Sequence, residues 1–132
     1  MSVSVRLHVD AIAALLTAAN LTTTVGEASD NPEPPYVVLY PSPGQAIGEN
    51  LKTPTGDMLV DFQLTCVGES VEQALWLHDK AREAIDHVTP TISGRTAWPI
   101  WSDEPPQPIR RDDAMNPPLF VAVSRWSLRT TT

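Results

Sequence analysis

The chain has 132 residues, which suits one domain and leaves little room for two independent cores. With 42% apolar and 19% charged residues it reads as a folded globule, not a disordered chain. Sixteen acidic against nine basic residues give a net charge of −7, which excludes the basic stripe that grips nucleic acid by counterion release. The same sign argues against an anionic membrane surface and leaves open a protein that DNA merely passes near. Thirteen prolines, about twice the usual share, point to rigid turns and extended segments.

The single cysteine, Cys66, leaves no intramolecular disulfide and nearly excludes a cysteine-based zinc site. Met1 to Arg6 lacks the pattern of a signal peptide, and no apolar run approaches the length that spans a membrane. A protein folded in a cytoplasm is the expectation.

In chain order, Val5, Val9, Ile12, Leu16 and Ala19 recur at helical spacing and predict a first helix that stops at Asn20. Residues 22–35 carry loop chemistry, with room for a short strand at Thr23–Val25. Tyr36 to Tyr40, held between Pro35 and Pro41, is a short strand. A long loop follows at about 42–56. Loops of that length are usually functional or mobile.

Asp57 to Val67 alternates: Met58, Val60, Phe62, Leu64 and Cys66 share one face, as in a half-buried antiparallel strand. Its expected neighbour is 36–40. Ser70 to Gln73 spells a capping box and opens a second helix to about Val88. Val71, Ala74, Leu75, His78, Ala81, Ile85 and Val88 are its expected apolar face. Trp98–Trp101 and Pro108–Arg111 are short strand candidates, and Leu119 to Arg129 is a final strand. The expected fold class is α+β: one domain over 1–132, a mainly antiparallel sheet, and two helices on one face.

No catalytic, cofactor-binding or metal-binding residue stands out. His78 and His87 lie nine positions apart on one helix, half a turn out of phase, and cannot share an ion. Cys66 falls on an apolar strand face, where a thiol is inert. Neither a nucleophile elbow nor a phosphate loop occurs. Asp79, Glu83 and Asp86 interleave with Lys80 and Arg82 as a solvated helix face does.

Two stretches invite an interface instead. One is the long loop, with Gly44, Gln45, Ile47, Glu49, Asn50 and Lys52 as candidate contact residues. The other is the C-terminal third, with Trp98, Trp101, Arg110 and Arg111, since Trp and Arg are enriched at protein–protein hot spots. For Trp98 and Trp101 core and interface are both open, while Trp126 is assigned to the core.

Together, Pro34-Pro35-Tyr36-Val37-Val38-Leu39-Tyr40-Pro41, Phe62 to Gly68, the 70–82 helix and Phe120 to Thr130 resemble the small tail terminator proteins of long-tailed phages, particularly those of actinobacterial hosts. The resemblance spans nearly the whole chain and rests on pattern, not on a catalytic motif; another neck protein, such as a head–tail connector or stopper, and a small non-viral α+β binding module are the alternative readings. It implies an α/β fold with a mainly antiparallel sheet, and a homo-hexameric ring at the head-proximal end of the tail tube. It also implies a virion protein with three partners: its own copies, the tail tube protein, and a head-completion or connector protein. DNA would cross the lumen unbound. No cofactor and no membrane are implied.

Overall fold

The computed structural model describes residues 5–27, 33–46, 57–102, 104–105, 107–114 and 117–131, with the backbone alone at 45 and 46. Helix α1 spans Val5–Ala18. It buries His8, Val9, Ile12 and Leu16 and leaves Ala19 exposed. Asn20 ends it in the left-handed region at φ 64°. There the Leu21 N–H reaches the Leu16 carbonyl at 3.2 Å and the Asn20 N–H that of Thr17 at 2.9 Å, closing a Schellman turn.

The strands are β1 (Thr23–Val25), β2 (Tyr36–Pro41), β3 (Gln45–Ala46), β4 (Met58–Gly68), β5 (Thr96–Ala97), β6 (Arg110–Asp112) and β7 (Leu119–Thr131). They form one sheet in the order β1-β2-β4-β7-β5, with β3 joined to β4 and β6 to β7. Only β1–β2 is parallel; every other pair is antiparallel. The expected partnership of 36–40 with the long strand is present, from Tyr36 opposite Val67 to Pro41 opposite Phe62.

The alternation read along β4 holds: Met58, Val60, Phe62, Leu64 and Cys66 are all buried. With Val37 and Leu39 of β2 and Leu128 of β7, Phe62, Leu64 and Cys66 form the sheet side of the main core. Phe62 stands opposite Trp126 in the ladder, a cross-strand aromatic pair. The indole N–H of Trp126 is satisfied by Ser124 Oγ at 2.8 Å, so the ring is buried without an orphan donor. Burial pushes the Cys66 thiol up to about 12.

Helix α2 spans Val71–Ile85. Ser70 Oγ accepts from the Gln73 N–H at 3.1 Å, and Gln73 Oε1 reaches back to the Glu69 N–H at 2.7 Å, one residue before the cap. A side chain at Gly68 has no room, since its Cβ would lie 2.7 Å from the Ala74 nitrogen. Two features of α2 differ from expectation. It ends at Ile85 rather than Val88, because Asp86 is extended and His87 turns left-handed at φ 61°. The turn is then clipped to 98–101, with the His87 N–H on the Ile100 carbonyl and the Ile100 N–H on that of Val88. Its buried face is Ala74, Leu77, Ala81 and Ile85, while Val71 and Leu75 lie outside with Trp76. Both helices pack on the same side of the sheet, the side of the main core.

Replacing Phe62 by Ala is expected to destabilise the fold by about 3–5 kcal/mol in denaturant unfolding, the range for a buried aromatic truncated to a cavity. A near-neutral result would contradict the burial of that strand face.

Candidate interaction surface

Among the described residues, the opposite side of the sheet carries no helix. Its floor is built of cross-strand rows. Tyr36, Val67 and Val121 form one row, continued by Arg110 of β6. Val38, Thr65 and Val123 form the next. Tyr40, Gln63 and Arg125 form a third, and Asp61 with Ser127 a fourth, joined by a 2.7 Å hydrogen bond from Ser127 Oγ to Asp61 Oδ1. The rows run from apolar to polar. Tyr36, Val38, Val67 and Leu119 make a second, smaller core at the apolar end. Burial raises the pKa of the Tyr36 phenol, and Tyr40 and Asp112 add to the rise. Two hollows of about 460 Å³ each lie along this face, one at each end of the polarity gradient.

One bank of this trough is formed by the described residues of 96–112, which follow the outer edge of β7. Thr96 and Ala97 pair with Thr131 and Thr130. The Trp98 N–H donates to the Arg129 carbonyl at 2.9 Å, and Trp101 exchanges two hydrogen bonds with Ser127. The Gln107 N–H meets the Val123 carbonyl at 3.3 Å, and Arg110 pairs with Val121. The two strand candidates of this stretch are thus halves of one broken edge. Ile100 and Pro108 stand outside its strands; β5 is shifted to 96–97, and β6 runs on to Asp112.

The sequence-derived contact residues divide between the ends of the sheet. Gln45 lies opposite Leu59, Leu59 opposite Arg129, and Trp98 bonds to Arg129, so one row links the long loop to Trp98. Trp98 is 42% exposed, and the Arg129 guanidinium sits 5.0 Å from its ring centre. Trp101 is half-buried against Ser127. Arg110 and Arg111 are exposed at the far end of β7, roughly 30 Å away at 3.3 Å per residue. Arg111 pairs with Asp113 at 2.6 Å.

Within the predicted loop, Gln45–Ala46 is strand. Between Pro41–Phe62 and Gln45–Leu59 the ladder holds three residues on one side and two on the other, a β-bulge. Gly44 absorbs the extra residue at φ +80°. It packs inward, and a Cβ there would meet Val5 Cγ2 at 3.0 Å and Met58 Sδ at 3.1 Å. Ile47, Glu49, Asn50 and Lys52 lie outside the described residues.

Asp57 anchors the start of β4. Its carboxylate accepts from Thr131 Oγ1 and, at 3.1 Å, from Arg129 Nη2. Those hydrogen bonds, Thr131 first and Arg129 next, hold its pKa below the ordinary carboxylate value. Nearby, the buried His8 Nε2 lies 2.6 Å from Thr130 Oγ1, which also accepts from Arg95 Nε at 2.9 Å. Sequence periodicity missed His8, because the stripe of the first helix rests on Val5, Val9, Ile12, Leu16 and Ala19 alone. On α2, burial lowers the His78 pKa, and its Nε2 is buried with no partner among the described residues. Neutral imidazole fits that site.

No family model matches this chain, and no curated protein matches it. Among solved structures it is similar to a chain described as "Virion of native gene transfer agent (GTA) particle". The TM-score is 0.55 at 14% identity, over 92% of this chain and 84% of that one. The fold is therefore shared across nearly the whole length.

Two outcomes are expected. Gly44→Ala should lower stability by more than about 1 kcal/mol in chemical denaturation, since alanine resists a positive φ and no space awaits its methyl. Asp57→Asn should be less stable than the parent at neutral pH. A carboxylate whose folded pKa is depressed contributes stability above its ordinary value of 3.8 and loses it as pH falls through the folded value. The gap between the two proteins should therefore close below about pH 4.

Proposed function

We propose that this chain is a structural protein of a phage-type virion, and within it a tail terminator. Its copies form a ring, hexameric as in the family the sequence resembles, on the head-proximal end of the tail tube. The ring stops tube growth, offers its other surface to a head-completion or connector protein, and lets DNA pass through its lumen. No reaction and no cofactor belong to this reading.

The observation that carries it is the fold shared with a chain of the gene transfer agent virion over 92% of this chain. Because one fold serves many functions, the reading also draws on this chain's own residues. A terminator must meet one tube face and refuse further growth. The outer line beside β7 is broken into Thr96–Ala97 and Arg110–Asp112, with Pro99, Pro105 and Pro108 between them. Proline has no N–H to donate and blunts such an edge. A head-to-tail ring needs two unlike patches on each subunit. The end holding Trp98 and the β3–β4 pair differs in chemistry from the end holding Arg110 and Arg111. The net charge of −7 keeps passing DNA from adhering.

The test is to mix the purified chain with tail tubes built from the tube protein of the same particle. Native mass spectrometry and negative-stain imaging then report its state and position. A closed ring seated on one end of each tube is the expected result. Binding to head connectors with no affinity for tubes would reassign the chain to another neck protein. Binding to neither would overturn the virion reading.

A further inference from the structure

Among the described residues the sheet has helices on one side only, and α2 has an outer side that none of them covers. We propose that these two surfaces are halves of one contact: α2 of one copy lies in the helix-free trough of the next. The proposal rests on the ring-forming reading above and names the surface that builds the ring.

The outer side of α2 is graded. Val71, Leu75 and Trp76 in its N-terminal half are 45%, 51% and 51% exposed. Adjacent Leu and Trp side chains left half in water mark an interaction site more than a solvated helix face. The C-terminal half is charged, with Asp79 paired to Arg82 at 3.3 Å and Lys80 to Glu83 at 3.7 Å.

The trough is graded in the same way. Its apolar end is the row of Tyr36, Val67 and Val121, and its polar stretch is the pair Asp61 and Ser127, beyond which lies the row of Leu59 and Arg129. Laid with its N-terminal half over the apolar end, α2 matches apolar to apolar and polar to polar along its whole length. The lengths agree as well. Fifteen helical residues span about 22 Å, and the floor from Asp61 to Val67 spans about 20 Å.

Charge selects the same orientation. Arg110 stands beside the apolar end of the trough, exposed and without an ion-pair partner among the described residues. Glu72, in the first turn of α2, is likewise exposed with no such partner. The outer side of α2 carries Glu72, Asp79, Glu83 and Asp86 against Lys80 and Arg82, so it is net acidic, while on the bank Arg110 and Arg111 stand with Glu104 and Asp112, and Arg111 is paired to Asp113; Arg110 is the cation left to meet Glu72. The contact uses opposite faces of the sheet layer on each copy. It is therefore heterologous, repeats from subunit to subunit, and closes into a ring when the rotation allows.

Self-association, alone or on tube ends, is the measurement, with circular dichroism reporting the fold of each variant. Trp76→Ser should raise the concentration for half assembly at least about tenfold. Leu75→Ser is the second variant should the first fold poorly. Arg110→Glu with Arg111→Glu should weaken assembly, as should Glu72→Arg with Glu83→Arg. Mixing those two double variants in equal amounts should restore it, because each contact then joins faces of opposite charge in alternation. Assembly unaltered in Trp76→Ser and Leu75→Ser, or no rescue on mixing, overturns this contact while a ring on the tube leaves the terminator reading standing. A parent chain that never associates overturns the contact, and the tube-binding result then decides the reading independently.

Discussion

Every element of this protein is positioned by the antiparallel ladder between β4 and β7, which runs unbroken from Met58 opposite Thr130 to Gly68 opposite Phe120. A ladder of that length fixes which residues face which side, since a slip of one residue would turn every side chain to the wrong face. The penalty for such a slip is severe here. Phe62, Leu64, Cys66, Trp126 and Leu128 would leave the main core together. Both helices dock on the face so defined, and both sheet edges are attached to one of these two strands or to a strand beside it.

The ladder also sets distances. Residues near its two ends are separated by most of the length of the sheet, and no rearrangement short of unfolding brings them together. Trp98 and the bulge at Gly44 thus belong to one end, Arg110 and Arg111 to the other. The end near Trp98 is tied down by polar contacts from three parts of the chain. Asp57 holds Arg129 and Thr131, while Thr130 holds His8 and Arg95. The other end closes on the small apolar cluster of Tyr36, Val38, Val67 and Leu119. Two chemically different surfaces follow from one straight piece of backbone pairing.

The parts of this arrangement that local rules dictate were legible in the sequence. Strand alternation gave the inner face of β4, the cap at Ser70 gave the start of α2, and paired prolines bounded β2. The candidate contact surface was legible only in pieces. Leu75, Trp76 and Leu77 follow one another, so α2 offers a large apolar residue in three directions. Periodicity cannot decide which of them is buried. The sheet decides it, because Ala74, Ala81 and Ile85 line up with Leu77 and leave Leu75 outside. The edge segment 96–112 was equally opaque. Its hydrogen bonds go to β7 at irregular intervals in a stretch with four prolines, and no short-range pattern announces a partner that far along the chain. His8 was invisible for a related reason, since its burial depends on Thr130, 122 positions away.

The net charge bears on how such surfaces behave before they meet. Copies carrying −7 each repel one another in dilute solution, and half-exposed Leu75 and Trp76 are kept from indiscriminate association by that field. At physiological ionic strength the repulsion decays over about 8 Å. Inside that range the local pattern takes over, and it is not uniformly negative. Arg110, Arg111 and Arg125 stand along one side of the trough together with Glu104 and Asp112, and the carboxylates of α2 lie on the far side of the molecule. Global charge of one sign with local patches of both signs therefore opposes random contact and favours contact in a single orientation, the combination that a subunit built to join only at a defined place requires.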